Sequence, residues 1–344
     1  GWSAPLNYDC HSHRAVLQSI FDCVISKTGF DYKFNERTPS GNTEGIDVTT
    51  KENIAAFISG DFFITDRLTL NAGFRQAWIA FSRYDLEKSD TPNAYNAAIN
   101  YSLFKKDALF FSYQHAYQSP NIDNFFGNTY DANWNVIGST FNGFIESMTM
   151  DTYSTGYKHI DDDLNIKLEL YYSDLKNEMY YDQTNYNNTN YDTSEKYGVE
   201  LTLYKDFGFF DTNINYTYTD TRAKTATGVY EISGQPHHVF LASIGKQFTN
   251  TLLPLQHHGI RLSHKYKSKS YRFDDGDNSY NEAPGFNSSA INYQLSNNQH
   301  WTVDFSVNNL FEIPNGQWVR GFPANGVYAT DYERTFSGSV YYTF

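Results

Sequence analysis

The last stretch of the chain, Thr335-Phe336-Ser337-Gly338-Ser339-Val340-Tyr341-Tyr342-Thr343-Phe344, alternates rings and aliphatic groups with hydroxyls. In an extended chain Phe336, Val340, Tyr342 and Phe344 share one face, and Thr335, Ser337, Ser339 and Thr343 share the other. The same period of two recurs upstream. Trp301, Val303, Phe305 and Val307 alternate with Thr302, Asp304, Ser306 and Asn308. Ile214, Tyr216 and Tyr218 oppose Asn213, Asn215 and Thr217, while Ile166, Leu168, Leu170 and Tyr172 oppose Lys167, Glu169, Tyr171 and Ser173. Helical periodicity is nearly absent. The chain is all-β.

A sandwich explains any one of these strands, because it buries one face and wets the other. The connections separate it from a barrel. Short turns near 65–66, 105–107, 161–163, 205–208, 249–250 and 297–299 alternate with long polar, aromatic loops around 84–92, 119–146, 182–193, 223–235, 271–285 and 313–331. Short turns at one end and long loops at the other are the pattern of an antiparallel transmembrane β-barrel with a periplasmic and an extracellular rim. Rings gather at strand ends (Tyr171-Tyr172, Tyr180-Tyr181, Phe209-Phe210, Tyr341-Tyr342), as interfacial girdles require.

Composition fits. The 344 residues carry 26 basic and 39 acidic side chains, a formal charge of −13, which argues against a nucleic-acid partner. Tyr (29) and Phe (27) are far above ordinary usage, too ring-rich for a disordered chain. No run approaches the length of a transmembrane helix. About thirteen strands are predicted from residue 52 onward, with residues 1–51 an extracellular loop region. An odd count places the start of the chain outside, whereas bacterial barrels have even counts. The expectation is the C-terminal portion of a larger barrel.

The stretch "KENIAAFISGDFFITDRLTLNAGFR" (51–75) resembles a hairpin of TonB-dependent outer-membrane receptors. "ALFFSYQHAYQSPNIDNFFG" (108–127), "LELYYSDLKNEMYYD" (168–182), "YGVELTLYKDFGFFDTNINYTYTDTRA" (197–223), "VNNLFE" (307–312) and "ERTFSGSVYYTF" (333–344) resemble further blocks of that family, in its order. The resemblance implies a 22-stranded barrel with a plugged lumen. It implies a plug domain and a TonB-contacting segment that this stretch does not include. It also implies energy-coupled uptake of a scarce nutrient, most simply a ferric siderophore. Haem, cobalamin or another metal chelate are alternatives within the fold. Haem-specific members carry an F-R-A-P box where this chain has Tyr117-Gln118-Ser119-Pro120. A free-standing passive pore or surface barrel is the alternative of a different class, if residues 28–35 supply one more strand. The implied partners are outer-membrane lipid, the extracellular chelate, the TonB complex, and the barrel-assembly machinery. The last of these would read Tyr342 and Phe344 on the final strand.

Cys10 and Cys23 are the two cysteines, and in an exported chain such a pair suggests a disulfide. It would close a loop of about 14 residues, a constraint of roughly 3 kcal/mol. Val16, Leu17, Ile20, Phe21 and Val24 have helical spacing, so a small pinned helix is predicted there. A metal site from Cys10, His11, His13 and Cys23 is the weaker alternative, since the spacing matches no zinc pattern. The ten His residues read as rim or girdle positions, and no catalytic motif or cofactor-binding signature is present. Ligand contact is therefore assigned to loop rings and an Arg: Tyr130, Trp134, Tyr186, Tyr191, Tyr230, Tyr280, Trp318, Arg320, Phe322 and Tyr328. Such a set suits a flat, aromatic, anionic ferric chelate. The bland alternative is that these rings pack the loops against each other.

Overall fold

A computed structural model describes residues 6–39, 48–130, 132, 136–182, 187–225, 228–232, 234–249, 257–272, 281–297, 300–313, 315–318, 327–331 and 333–343. One antiparallel sheet of seventeen strands dominates it. Two of these, Leu86–Asp90 and Gly228–Tyr230, are short extensions into loops. The other fifteen are β1 (Leu6–Phe21), β2 (Val24–Pro39), β3 (Thr49–Thr65), β4 (Leu68–Arg83), β5 (Asn93–Ser102), β6 (Asp107–Gln118), β7 (Met148–Ile160) and β8 (Leu164–Lys176). They continue as β9 (Thr193–Asp206), β10 (Asp211–Thr225), β11 (His238–Thr249), β12 (His257–Lys267), β13 (Phe286–Ser296), β14 (Trp301–Asn308) and β15 (Thr335–Tyr342). Each pairs with its sequence neighbour. No pairing joins β1 to β15 among the described residues, so the barrel is partial and not closed.

Register carries the period of two from strand to strand. Ile58, Phe74, Ile99, Phe111, Leu170, Leu262 and Phe305 are exposed and share the outer face. A row of exposed apolar groups on this scale has lipid as its natural solvent. The other face holds cross-strand polar pairs. Ser112 meets Ser154 at 2.7 Å, Asn71 donates to Asp61 at 2.6 Å, and Arg261 donates to Asp211 at 2.7 Å. That face is the lumen.

The largest departure from expectation is at the start. Residues 6–39 are not a loop with a helix but a hairpin, β1 and β2, turning at Asp22-Cys23. The helical spacing of its apolar residues is overridden by backbone pairing along the whole sixteen-residue strand. Residues 28–35 are indeed a strand, and the count rises from about thirteen to fifteen. Cys10 pairs with Asn35 near one end of β1, and Cys23 sits in the turn at the other; both are free and exposed. Thirteen residues of strand place them about 40 Å apart, beyond any disulfide and any shared metal site. Tyr342 stands on the outer face with its ring 4.7 Å from that of Trp301; Phe344 lies outside the described residues.

Several lumenal glycines lie under a large neighbour. A Cβ at Gly156 would meet the Phe110 ring at 2.7 Å, and one at Gly198 would meet the Tyr171 hydroxyl at 2.8 Å and collide with the Tyr218 carbonyl. Tyr171 lies flat over Gly198 so that its hydroxyl reaches Thr219, 2.7 Å away. Gly198→Val should therefore destabilise the sheet by about 1–3 kcal/mol, read from urea unfolding of the refolded barrel. An unchanged midpoint would mean that the Tyr171 ring moves aside and the Tyr218 backbone shifts at no cost.

The short turns are tied by ion pairs. Lys106 binds Asp161 and Lys205 binds Asp163, across neighbouring turns. The Lys106 ammonium, helped by the Asp162 amide at 2.7 Å, holds the Asp161 carboxyl below its ordinary 3.8, and Lys205 does the same for Asp163. Depressed carboxyl values mean a contribution that is full above the ordinary range and lost as pH falls through the lowered values. Carboxyl titration by NMR should give midpoints below 3.8 for both, and Lys106→Gln should return Asp161 towards that value. A midpoint for Asp161 unmoved by that substitution would contradict the assignment.

Candidate functional site: a loop-capped basic lumen

Alternation sorts charge as well as hydrophobicity. The lumenal face of β1–β4 carries Arg14, Lys27, Lys33, Arg37, Lys51, Arg75 and Arg83 against only Asp31 and Asp61. A chain of net charge −13 thus presents a basic inner wall at these strands. An enclosed cavity lined by one sign of charge concentrates ions of the other.

At mid-height two guanidiniums share one carboxylate. Arg14 donates to Asp31 through Nε at 2.5 Å and Nη2 at 3.2 Å, and Arg75 Nη1 donates to Asp31 at 2.5 Å. The two guanidinium carbons lie 6.0 and 5.9 Å from the Phe57 ring. Phe57 can lie flat because Gly29 is beneath it; a Cβ there would come within 2.6 Å of the ring. Asp31 neutralises only one of the two cations. The cluster opens into a depression shared with Ser59, Gly73, Asn96 and Gln114. Two forked donors, a ring face and nearby amides suit a planar anion.

Above this wall the loop between β6 and β7 folds inward. Its short 3-10 turn Ile122–Phe125 starts at Asn121, whose backbone N–H donates to the Asn124 side chain at 2.8 Å. Ile122, Phe125 and Phe126 are buried against Ala55, Ala77, Ile79 and Phe81, all lumenal residues of β3 and β4, with Phe141, Phe144 and Ile145 packed around them. Phe125 meets Phe81 at 5.1 Å and Phe144 at 5.0 Å, both edge to face. Basic residues fasten the loop. Lys51 donates to the Ser119 hydroxyl at 2.6 Å and the Pro120 carbonyl at 2.7 Å. Arg37, only 2% exposed, donates to Asp123 at 3.0 Å and lies 3.7 Å over Phe126. The Tyr8 hydroxyl donates to the same carboxylate at 2.6 Å. Asn190, on the loop between β8 and β9, exchanges hydrogen bonds with the Glu146 backbone at 3.0 and 3.2 Å, so the two loops form one cap.

The loop rings assigned to ligand contact fare unevenly. Tyr230 is half-buried on the strand paired to Ala223, with its hydroxyl 3.0 Å from where a Cβ of Gly228 would be. Tyr191 is 2% exposed and stacks on Tyr180 at 4.0 Å; it packs the cap and cannot reach a ligand. Tyr130, Trp318 and Tyr328 lie in short hairpins whose backbone pairs as Tyr130 with Val136, Trp318 with Val327 and Tyr328 with Gln317. Trp134, Tyr186, Tyr280, Arg320 and Phe322 lie outside the described residues. Sequence reading confined to loops misses Arg14, Phe57 and Arg75 because they are in strands; parity along 8–20, 51–61 and 69–83 is the signal that finds them. The adjacent His257 and His258 point to opposite faces, as expected of a strand, and the His258 ring meets Tyr293 at 2.7 Å on the outer one.

The family "TonB dependent receptor-like, beta-barrel" matches residues 4–310. Among solved structures the chain superposes on the copper transporter OprC at a TM-score of 0.79 with 15% identity, covering 98% of this chain and 56% of that one. The FrpB iron transporter of Neisseria meningitidis (F5-1 variant, apoprotein form) gives 0.77 at 14% identity, with 98% and 56% covered. The ferric-catecholate import receptor Fiu of E. coli K12 gives 0.71 at 15%, with 98% and 55% covered. The chain thus spans about half the length of the structures it matches. No curated protein matches it.

Proposed function

The chain belongs to the TonB-dependent receptor β-barrel family, an outer-membrane family, and on that premise we propose that it is the C-terminal barrel portion of a receptor for TonB-energised uptake of a ferric siderophore. The observation that carries the cargo class is the basic lumenal wall, with Arg14 and Arg75 around Phe57 and only Asp31 between them. An iron chelate bearing several acidic groups fits such a wall better than a neutral nutrient does. The neighbours' own names fit this reading: an iron transporter and a ferric-catecholate import receptor. A passive pore is disfavoured by the inward-folded loop, whose aromatic core sits on the lumenal residues of β3 and β4.

Equilibrium binding with the complete receptor tests it, using an iron-loaded catecholate chelate and cobalamin side by side. The ferric chelate should bind at submicromolar concentration, and Arg14→Ala with Arg75→Ala should weaken it at least tenfold. Cobalamin bound tightly while the ferric chelate is ignored would overturn the cargo. Tight ferric-chelate binding unaffected by the double variant would move the site elsewhere.

A further inference from the structure

The outer face changes character along each strand in the middle of the sheet. From the short-turn end upward, β8 presents Ile166, Leu168, Leu170, Tyr172, Asp174 and Lys176 on that face. On β9 the series is Leu203, Leu201, Val199, Tyr197 and Glu195; on β10 it is Ile214, Tyr216, Tyr218, Asp220, Arg222 and Lys224. Aliphatic, aromatic, acidic and basic rows follow one another. This is the order of environments met in leaving a bilayer. Ten residues separate Ile166 from Lys176, about 33 Å of strand or about 25 Å of height at the usual tilt, which is the height of the apolar band. The basic row therefore stands at the headgroups of the outer leaflet.

Lys176, Arg222 and Lys224 are exposed, and among the described residues none of them makes an ion pair. Their counterparts at the opposite rim, Lys106 and Lys205, are both paired with aspartates. Lys176 and Lys224 lie in one register row, each opposite Thr193, so their backbones are about 10 Å apart; Arg222 is one step below Lys224. Glu195 stands directly across the ladder from Arg222, in the same row, and the Lys176 charge reaches Asp151, but among the described residues neither carboxylate makes an ion pair with these cations. Asp220 accepts from the Tyr197 hydroxyl at 2.8 Å, Glu195 stands beside Tyr172, and Asp151 accepts from Tyr113 at 2.6 Å and pairs with His115 at 2.8 Å. Asp174 is the carboxylate nearest Lys176 along the strand.

From this arrangement we infer that Lys176, Arg222 and Lys224 form a binding site on the outer face for the phosphate groups of an outer-leaflet lipid. Unpaired cations at headgroup height attract anionic headgroups, and a cluster makes the attraction site-specific. The inference rests on the assignment of the outer face to lipid, not on the cargo.

Native mass spectrometry of the purified, detergent-solubilised protein tests it, with bisphosphorylated lipid A as probe. The expected result is retention of one lipid A, with a Lys176→Gln, Arg222→Gln, Lys224→Gln triple variant binding at least tenfold more weakly. Dephosphorylated lipid A should lose a similar factor. Lys246→Gln, on the outer face at the opposite rim, should bind as the unaltered protein does. The heat-dependent shift of the folded barrel in electrophoresis verifies that each variant is folded. Equal retention of lipid A by folded triple variant and unaltered protein would overturn the site. So would displacement by millimolar inorganic phosphate, which would make it a site for a free ion.

Discussion

Phe125→Ala is expected to release residues 119–130 and 136–147 from the lumen at a cost of about 3–5 kcal/mol, the range for removing a buried ring. Phe125 is 0% exposed and meets Phe81, Phe141 and Phe144, so its loss opens a cavity at the centre of the cap. The walls cannot collapse to fill it. Phe81 and Ile79 are held on a strand, and Phe126 is held under Arg37. The effect should be local, because the strands below keep their ladders. Hydrogen exchange at Asn124 and Asn142, whose amides are bonded within the cap, should accelerate by two to three orders of magnitude, while the strand amides of β8 and β9 keep their protection. Exchange unchanged at both asparagines would mean that Arg37 and Lys51 alone hold the loop.

Leu170→Arg should cost about 2–4 kcal/mol when the barrel is unfolded from a bilayer, since Leu170 stands on the outer face two rows above Ile166, the lower end of the apolar band. Thr217→Arg is the matched comparison. Thr217 is opposite Glu200 on the lumenal face, so a guanidinium there finds water and a carboxylate, and the change should stay within about 0.5 kcal/mol. The difference between the two substitutions, rather than either value, reports which face meets lipid. Equal costs would remove the distinction.

Strands with an unbroken alternation, such as 166–173, 213–218 and 301–308, were legible because one face is oily and the other polar, and nothing else competes. The hairpin at 6–39 was not. Its apolar residues Val16, Leu17, Ile20 and Phe21 mimic a helix, two cysteines suggested a staple, and the pairing that decides the matter is with a strand whose own pattern, Phe30 to Phe34, is brief. Tyr191, one of the loop rings assigned to ligand contact, misled in a different way. Aromatic side chains in a loop look available for a ligand, but Phe125, Phe141 and Tyr191 would leave large apolar areas in water if the loops stood outward. They fold in instead, and the rings become the packing of a cap. The basic wall was hidden because its members are scattered singly in sequence. Arg14, Asp31, Phe57 and Arg75 lie on four strands, and only the register brings them together.

One face of this sheet meets lipid and the other a water-filled or protein-filled lumen. Single cysteines placed in turn from 166 to 173 and from 197 to 203, after Cys10 and Cys23 are changed to Ser, can carry a spin label in the membrane-embedded protein. Accessibility to oxygen should peak at 166, 168, 170 and 172 and at 197, 199, 201 and 203. Accessibility to a water-soluble relaxant, or burial from both, should mark the residues between. A profile with no period of two, or one in which the lumenal set faces the bilayer, would contradict this fold.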